Sequence, residues 1–210
     1  LPKEFGNTVE GYMIDLVKSY IYYIMQERFG DITSKPGAPF LGASLSVGRL
    51  CATCEGVFAN VSFKDGDAVN AFAAMMLEVE KMKRFGFTDG EVERAKAKIM
   101  SHYERAVEAA PTRKNADFVR PLLNAFYHNE SYMDPETELQ VAQMICSQLN
   151  AAVLSQIAAS MITDENMVVL YNGPEKDGLA NPTEQQLAAV IAAVKTAEIE
   201  ANVEETVNEP

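Results

Sequence analysis

Apolar residues near the start of the chain recur at the spacing of one helix face. They fall at Val9, Met13, Leu16, Tyr20 and Ile24. This pattern predicts a helix that ends near Phe29 and has Asn7 or Thr8 as its N-cap. Residues 30–42 contain several glycines and prolines, so they are predicted to form a loop.

The apolar pattern changes to near-alternation between Ala43 and Phe63, which indicates two antiparallel strands. Much later in the chain, Met167–Tyr171 is a short run of β-branched and apolar residues that predicts a buried strand. The sheet is therefore expected to take strands from distant parts of the chain.

Helical spacing and capping signals predict the remaining helices at about Asp67–Phe85, Thr88–Ala110, Lys114–His128, Glu136–Leu149, Asn150–Met161 and Thr183–Val194. Thr88 and Thr183 each fit a capping box, and Gly86 suits a left-handed C-terminal cap. Helices and strands do not alternate regularly. The predicted fold class is therefore α+β, a mostly antiparallel sheet packed against a layer of several helices in a single domain.

The chain has 210 residues, of which 48% are hydrophobic and 23% are charged, so it can bury the core of one ordinary domain. Lysine and arginine number 18 against 30 acidic residues, which gives a formal charge of −12. Because such a chain has no cationic surface to neutralise phosphates, neither nucleic acid nor an anionic membrane is an expected partner. The longest apolar runs, such as Ile21–Met25, are too short to span a bilayer, so no membrane span is predicted.

Two of the three cysteines have the C-x-x-C spacing of some metal and redox sites. If Cys51 and Cys54 lie on one strand, their side chains point to opposite faces and their sulfur atoms diverge. Cys146 stands alone near a helix end. We therefore expect all three cysteines to be structural and to behave as small buried hydrophobic residues.

The two histidines are too few for a histidine-based zinc or acid–base site. His102 lies at the edge of an apolar stripe, and His128 lies at a helix end, where the dipole favours a cation. Paired carboxylates lie on the faces opposite the apolar stripes, at Glu78 and Glu80, Glu91 and Glu93, and Glu104 and Glu108. The sequence contains neither a glycine-rich phosphate loop nor a G-x-S-x-G elbow. No catalytic, metal-binding or cofactor-binding residue is therefore predicted in this chain.

Several segments share an order and spacing that extends over nearly the whole chain: Gln26–Ile32, Lys35–Ala43, Arg84–Thr88 with Glu91, Glu93–Lys96, Tyr103–Glu104, Ile162–Thr163 and Val168–Lys176. Together they resemble the non-catalytic homologous domain of the pitrilysin family of zinc peptidases, the family of insulin-degrading enzyme. The resemblance implies a peptidase chamber that is built from homologous α+β domains.

The resemblance also implies that one other domain carries the zinc motif H-x-x-E-H, whose glutamate activates the attacking water. Neither His102 nor His128 begins such a motif, so no metal ligand is carried over to this chain. A second family feature is an arginine followed by a glycine-containing strand with a substrate-binding tyrosine. Arg28 and Gly30 are present, but Thr-Ser-Lys stands at residues 33–35, where the tyrosine is expected.

The resemblance implies that residues 1–198 are an inactive peptidase domain that follows the catalytic domain and lacks its own first strand. Residues 199–210 are expected to be an acidic helix extension or an interdomain linker. The chain, which begins at Leu1, would then be a segment of a zinc-dependent metalloendopeptidase that hydrolyses unfolded polypeptides, with the zinc held outside this segment.

Its expected partners are the catalytic domain of the same polypeptide and unfolded peptide substrate. Such a peptide can add as a strand to residues 43–63. The family also implies the bacterial periplasm or cell envelope as the compartment. Two alternatives stay open: a non-catalytic core or assembly subunit related to the same peptidases, and an acidic helical binding module.

Overall fold

The computed structural model describes residues 8–51, 53–163 and 165–203. Within these ranges the chain forms one antiparallel hairpin and seven α-helices, with these bounds: α1 Val9–Thr33, β1 Gly42–Cys51, β2 Cys54–Ser62, α2 Ala68–Phe85, α3 Asp89–Ala109, α4 Asn115–His128, α5 Pro135–Gln148, α6 Ala151–Met161 and α7 Glu184–Thr196. A 3-10 turn, Ala110–Thr112, follows α3. This arrangement of an antiparallel sheet and helices confirms the predicted α+β class.

Side-chain caps begin several helices at the residues that the sequence predicts. The Thr8 hydroxyl accepts a backbone N–H of the first turn of α1 at 3.0 Å. Thr88 and Thr183 form complete capping boxes at the starts of α3 and α7. Gly86 ends α2 with a φ of 70°, a conformation that glycine adopts without strain. The caps confirm the predicted starts of α1, α3 and α7 and the predicted end of α2.

Helix α1 ends later than the sequence predicts, at Thr33 rather than near Phe29. Gly30 lies inside the helix, and its carbonyl oxygen accepts the N–H of Ser34 at 2.9 Å. One internal glycine weakens a helix by only about 1 kcal/mol. Pro36, in contrast, disfavours helical geometry at the residue before it, so the loop begins at Ser34.

Strands β1 and β2 form the predicted antiparallel hairpin. Their register places three apolar pairs on the face towards the helices: Ala43 with Val61, Leu45 with Ala59, and Val47 with Val57. Leu45 is buried, and several of its neighbours on this face pack against the core. The other face carries the intervening pairs, as the two-residue period of a strand requires.

The hydrophobic core is built around α1, which packs against β1, α3 and α5. Fully buried side chains of α1 are Tyr20, Ile21, Ile24, Met25 and Phe29. Helix α2 packs against α6 and α7, and α3 packs against α5. Burial of one such side chain contributes about 1.5–3 kcal/mol, so the packing around α1 is a main source of stability.

The predicted strand at Met167–Tyr171 is wrong. Among the described residues, the sheet consists of β1 and β2 alone, so it takes no strand from a distant part of the chain. Val168 is 78% exposed and Leu170 is 91% exposed, whereas Tyr171 stacks on Phe63 at 5.9 Å. β-branched residues favour a strand only where a neighbouring strand offers its backbone and a packing surface.

The C-terminal end of α7 is held against α2 by Arg84. Its guanidinium donates to three carbonyl oxygens at this end, at 2.8 to 3.1 Å. These carbonyls belong to the last turn, where a helix has no internal donors of its own. Residues 197–203 continue without helical structure, and residues 204–210 lie outside the described ranges, so the assignment of residues 199–210 stays a prediction.

Candidate functional site

Arg28 on α1 and Glu91 on α3 form a buried ion pair at the junction of α1, α2 and α3. The two residues are 6% and 7% exposed. Arg28 Nε donates to Glu91 Oε1 at 2.6 Å and Nη2 donates to Oε2 at 2.9 Å, which makes the pair bidentate. Nη2 also donates to the carbonyl oxygen of Gly86 at 2.7 Å. The pair therefore joins three helices through one guanidinium group.

The same Glu91 carboxylate also begins α3, because its Oε2 accepts the backbone N–H of Thr88 at 2.8 Å. Burial alone would raise the pKa of Glu91, but the hydrogen bond and positive charge of Arg28 outweigh it and hold this pKa below its usual range. The Arg28 guanidinium lies 5.2 Å from the centre of the Phe87 ring, at a cation–π distance. These contacts give the pair a structural role at the junction of the three helices.

Arg28 therefore cannot reach a substrate in this arrangement. Arg28 and Gly30 both lie inside α1, so Gly30 is not part of a strand that follows the arginine. The sequence placed Glu91 in the capping box of Thr88 and, with Glu93, on the face opposite the apolar stripe. The second expectation is wrong for Glu91, which is 7% exposed, because its partner is 63 positions away in the chain. The absence of the tyrosine at residues 33–35 was the available signal that Arg28 has a different role.

The predicted divergence of the Cys51 and Cys54 sulfur atoms is wrong. Cys51 ends β1 and Cys54 begins β2, and the two residues are register partners across the hairpin. The chain reverses direction between them, so the rule for residues on one strand does not apply. Cys51 is exposed, and Cys54 and Cys146 are half-buried, so the expectation of three buried cysteines is also incorrect.

The two histidines do not come together. His102 lies exposed on α3, with its ring edge-to-face against Tyr103 at 5.4 Å. His128 is the last residue of α4, the helix-end position that the sequence predicts. Within residues 8–51, 53–163 and 165–203, no three His, Cys, Asp or Glu side chains form a group that could hold a metal ion.

The outer face of the hairpin, opposite the helices, carries small side chains and one aromatic ring. The ring of Phe58 covers Gly56 and Gly48, whose added Cβ atoms would lie 3.4 and 3.8 Å from it. Within the described part of the chain, β1 and β2 pair only with each other, so each has one edge outside the ladder. Such an edge presents backbone donors and acceptors to an added strand.

Helix α4 presents an apolar stripe to solvent. The stripe consists of Val119, Leu122, Leu123, Phe126 and Tyr127, which are between 47% and 81% exposed. None of the 14 residues of α4, all of which are described, is buried. Pro121 lies inside the helix and has no N–H to donate to the preceding turn. The α4 stripe is therefore an apolar contact surface on a helix that its own backbone holds weakly.

No protein-family model matches this sequence, and no curated protein matches it. Solved structures, in contrast, match its fold. The periplasmic protease PqqL from Escherichia coli has a TM-score of 0.76 and 15% identity, over 100% of this chain and 23% of that chain. The ferredoxin protease FusC, solved as a mutant in complex with Arabidopsis ferredoxin, has a TM-score of 0.70 and 16% identity, over 100% of this chain and 24% of that chain.

A predicted insulinase family protease from Yersinia pestis also matches, with a TM-score of 0.68 and 12% identity. That match covers 92% of this chain and 41% of the protease chain. This chain therefore has the fold of a part of insulinase-like proteases and spans about a quarter to two fifths of their length. Among the described helices, none is both long and apolar enough to cross a membrane.

Proposed function

We propose that this chain is a non-catalytic, chamber-forming domain of a zinc-dependent metalloendopeptidase that hydrolyses peptide bonds in unfolded polypeptides. The observation that carries the proposal is the fold match over the whole chain to about a quarter of a protease. The remaining polypeptide would supply the catalytic domain. The proposed compartment is the periplasm or cell envelope, because PqqL is described as periplasmic.

Zinc needs three or four converging ligands, and among the residues that the structure describes no three His, Cys, Asp or Glu side chains form such a group. His102 and His128 are exposed and lie on different helices. We therefore place the zinc in the catalytic domain of the parent protein. The purified chain should hold far less than one equivalent of zinc after dialysis and should leave casein intact. Stoichiometric zinc in metal analysis, or cleavage by the chain alone, would contradict this.

The α4 stripe supports the proposal that this domain contacts the rest of a larger protein. An exposed apolar patch of this kind is typical of an interaction surface. Pro121 weakens α4, so its helical form needs support from outside the helix. We propose that the catalytic domain of the same polypeptide covers the α4 stripe.

Hydrogen exchange tests this contact. In the chain alone, α4 amides should exchange much faster than α1 amides, because α4 buries no side chain. In the parent polypeptide, α4 exchange should slow at least about tenfold, which is about 1.4 kcal/mol. Phe126→Glu in the parent should abolish this slowing. Leu50→Glu, at an apolar residue 66% exposed on the hairpin, is the matched control and should preserve it. Equally fast exchange of α4 in both proteins would refute the contact.

The hairpin is the proposed binding site for a peptide substrate. A peptide strand can add to an open edge through backbone hydrogen bonds, and Phe58 offers a ring on the outer face. Unfolded casein should therefore slow amide exchange in residues 42–62 of the parent protein. The Phe58→Ala variant should show a smaller effect. Exchange that casein leaves unchanged would exclude this role for the hairpin.

A non-catalytic assembly subunit is the second candidate, because the α4 stripe also suits a subunit interface. The parent sequence distinguishes the two, since only the peptidase has H-x-x-E-H in the neighbouring domain. The acidic binding module is disfavoured. It predicts that Arg84–Glu91 is not a helix–turn–helix junction packed on a sheet, but residues 84–91 do form the junction of α2 and α3, around the Arg28–Glu91 pair.

A further inference from the structure

Cys51, which is exposed, and Cys54, which is half-buried, form a pair of thiols at the end of the hairpin. They are register partners in an antiparallel pair, just after an irregularity of the ladder between Arg49 and Cys51, and their side chains are hydrogen-bonded to each other. The Cα atoms of such partners are about 4.5–5.5 Å apart. A disulfide needs a Cα separation of about 4.4–6.8 Å. The hairpin therefore holds the two residues at a distance that a disulfide can bridge.

The surroundings of the two thiols favour reaction of Cys51. The pKa of Cys51 is lowered to about 7. The largest cause is a hydrogen bond from the Cys54 side chain, and the next is a hydrogen bond from the Thr53 side chain. The Sγ atom of Cys51 lies 3.6 Å from the hydroxyl oxygen of Thr53. The same contact with Cys51 raises the pKa of Cys54. Because the thiolate is the nucleophile, exposed Cys51 is the attacking thiol and Cys54 is the resolving thiol.

We propose that Cys51 and Cys54 are a redox-active dithiol that forms a reversible disulfide by exchange with a low-molecular-weight disulfide. The Cys51 thiolate attacks one sulfur of the external disulfide, forms a mixed disulfide and releases one thiolate. The Cys54 thiol then loses its proton and attacks the Cys51 sulfur, which releases the second external thiolate. The protein loses two electrons and two protons, and the external disulfide is reduced to two thiols.

The end of the hairpin carries two ion pairs to other parts of the chain. Arg49 on β1 pairs with Glu130 after α4 at 3.5 Å, and Glu55 on β2 pairs with Lys18 on α1 at 2.6 Å. These residues are the register partners next to the cysteine pair. A bond between Cys51 and Cys54 therefore closes the hairpin at a point that is already tied to the helices.

Equilibration of the whole folded chain with mixtures of oxidised and reduced glutathione tests the proposal. After quenching with iodoacetamide, only Cys146 should be alkylated in the oxidised protein, whereas all three cysteines should be alkylated in the reduced protein. Cys146→Ser should behave like the wild type. Cys54→Ala should stop as a mixed disulfide on Cys51. A bond to Cys146, a linked dimer, or no oxidation would each overturn the proposal.

The pH dependence of Cys51 alkylation provides a second measurement, which distinguishes an activated thiol from a structural cysteine. The midpoint should lie near pH 7 in the folded wild type. In Cys54→Ala, and in the wild type unfolded in urea, it should rise towards the ordinary thiol value of about 8.5. Circular dichroism verifies that the variant is folded. An identical midpoint in all three samples would overturn the assignment of Cys51 as the attacking thiol.

Discussion

The buried Arg28–Glu91 junction and the exposed helix α4 are opposite kinds of region in the same chain. At the junction, two charged side chains are buried, and they are paired with each other and with the backbone. On α4, five apolar side chains lie in solvent on a helix that contains a proline. Buried charges are tolerated where their partners are present, and exposed apolar stripes occur where a partner binds. The charges of the first region are paired within this chain, with only Arg28 Nη1 lacking a hydrogen-bond partner among the atoms of the pair, and the second region has the character of an interface.

The largest expected effect comes from breaking the buried pair. Glu91→Ala leaves the Arg28 charge buried without its partner, so we expect a loss of about 3–5 kcal/mol in the free energy of unfolding. The matched control is Glu93→Ala on the same helix turn, where the carboxylate is 68% exposed and pairs with Lys96. This change should cost less than about 1 kcal/mol. Urea titration measures both, and equal losses would show that the pair is not the structural centre of the junction.

The second prediction compares apolar side chains in the two regions. Ile24→Ala removes a side chain that is 1% exposed in the core, and it should cost about 2–5 kcal/mol. Leu122→Ala, in the α4 stripe, should change the stability of this chain by no more than about 0.5 kcal/mol. Thermal or urea unfolding of both variants decides the matter. A large loss for Leu122→Ala would mean that the stripe packs within the chain after all.

The smallest expected effect is a change in the free energy of unfolding at acidic pH. Because the folded-state pKa of Glu91 is lowered, its contribution to stability is present above the unfolded pKa of about 4.3 and is lost as pH falls through the folded value. The stability difference between the wild type and Glu91→Gln should therefore shrink below about pH 4. Unfolding measured between about pH 3 and 7 provides the comparison. A difference that stays constant over this range would contradict the role of the charged pair.

Features that depend on neighbouring residues could be predicted from the sequence, whereas those that depend on distant partners could not. Thr8, Thr88 and Thr183 cap helices through bonds to backbone groups three residues away, so their spacing was sufficient. The strand at residues 167–171 needed a neighbouring strand, which no local pattern reveals. The Arg28–Glu91 pair joins residues 63 positions apart.

The cysteines show how the position of one turn decides whether two side chains are neighbours. Periodicity predicted two strands within residues 43–63 but did not fix the residues at which the chain turns. The hairpin reverses between Cys51 and Cys54, so side chains expected on opposite faces became cross-strand neighbours. A register error of this kind alters the predicted chemistry of the pair while leaving the fold class correct.

Pro121 has a thermodynamic consequence for any association through α4. Helix α4 contains a proline and has no buried residue. When a partner binds, the entropy cost of ordering this helix therefore offsets part of the binding free energy. Calorimetry of that binding should therefore give an unfavourable entropy together with a negative heat-capacity change, since ordering of the backbone and burial of the apolar stripe occur in one step.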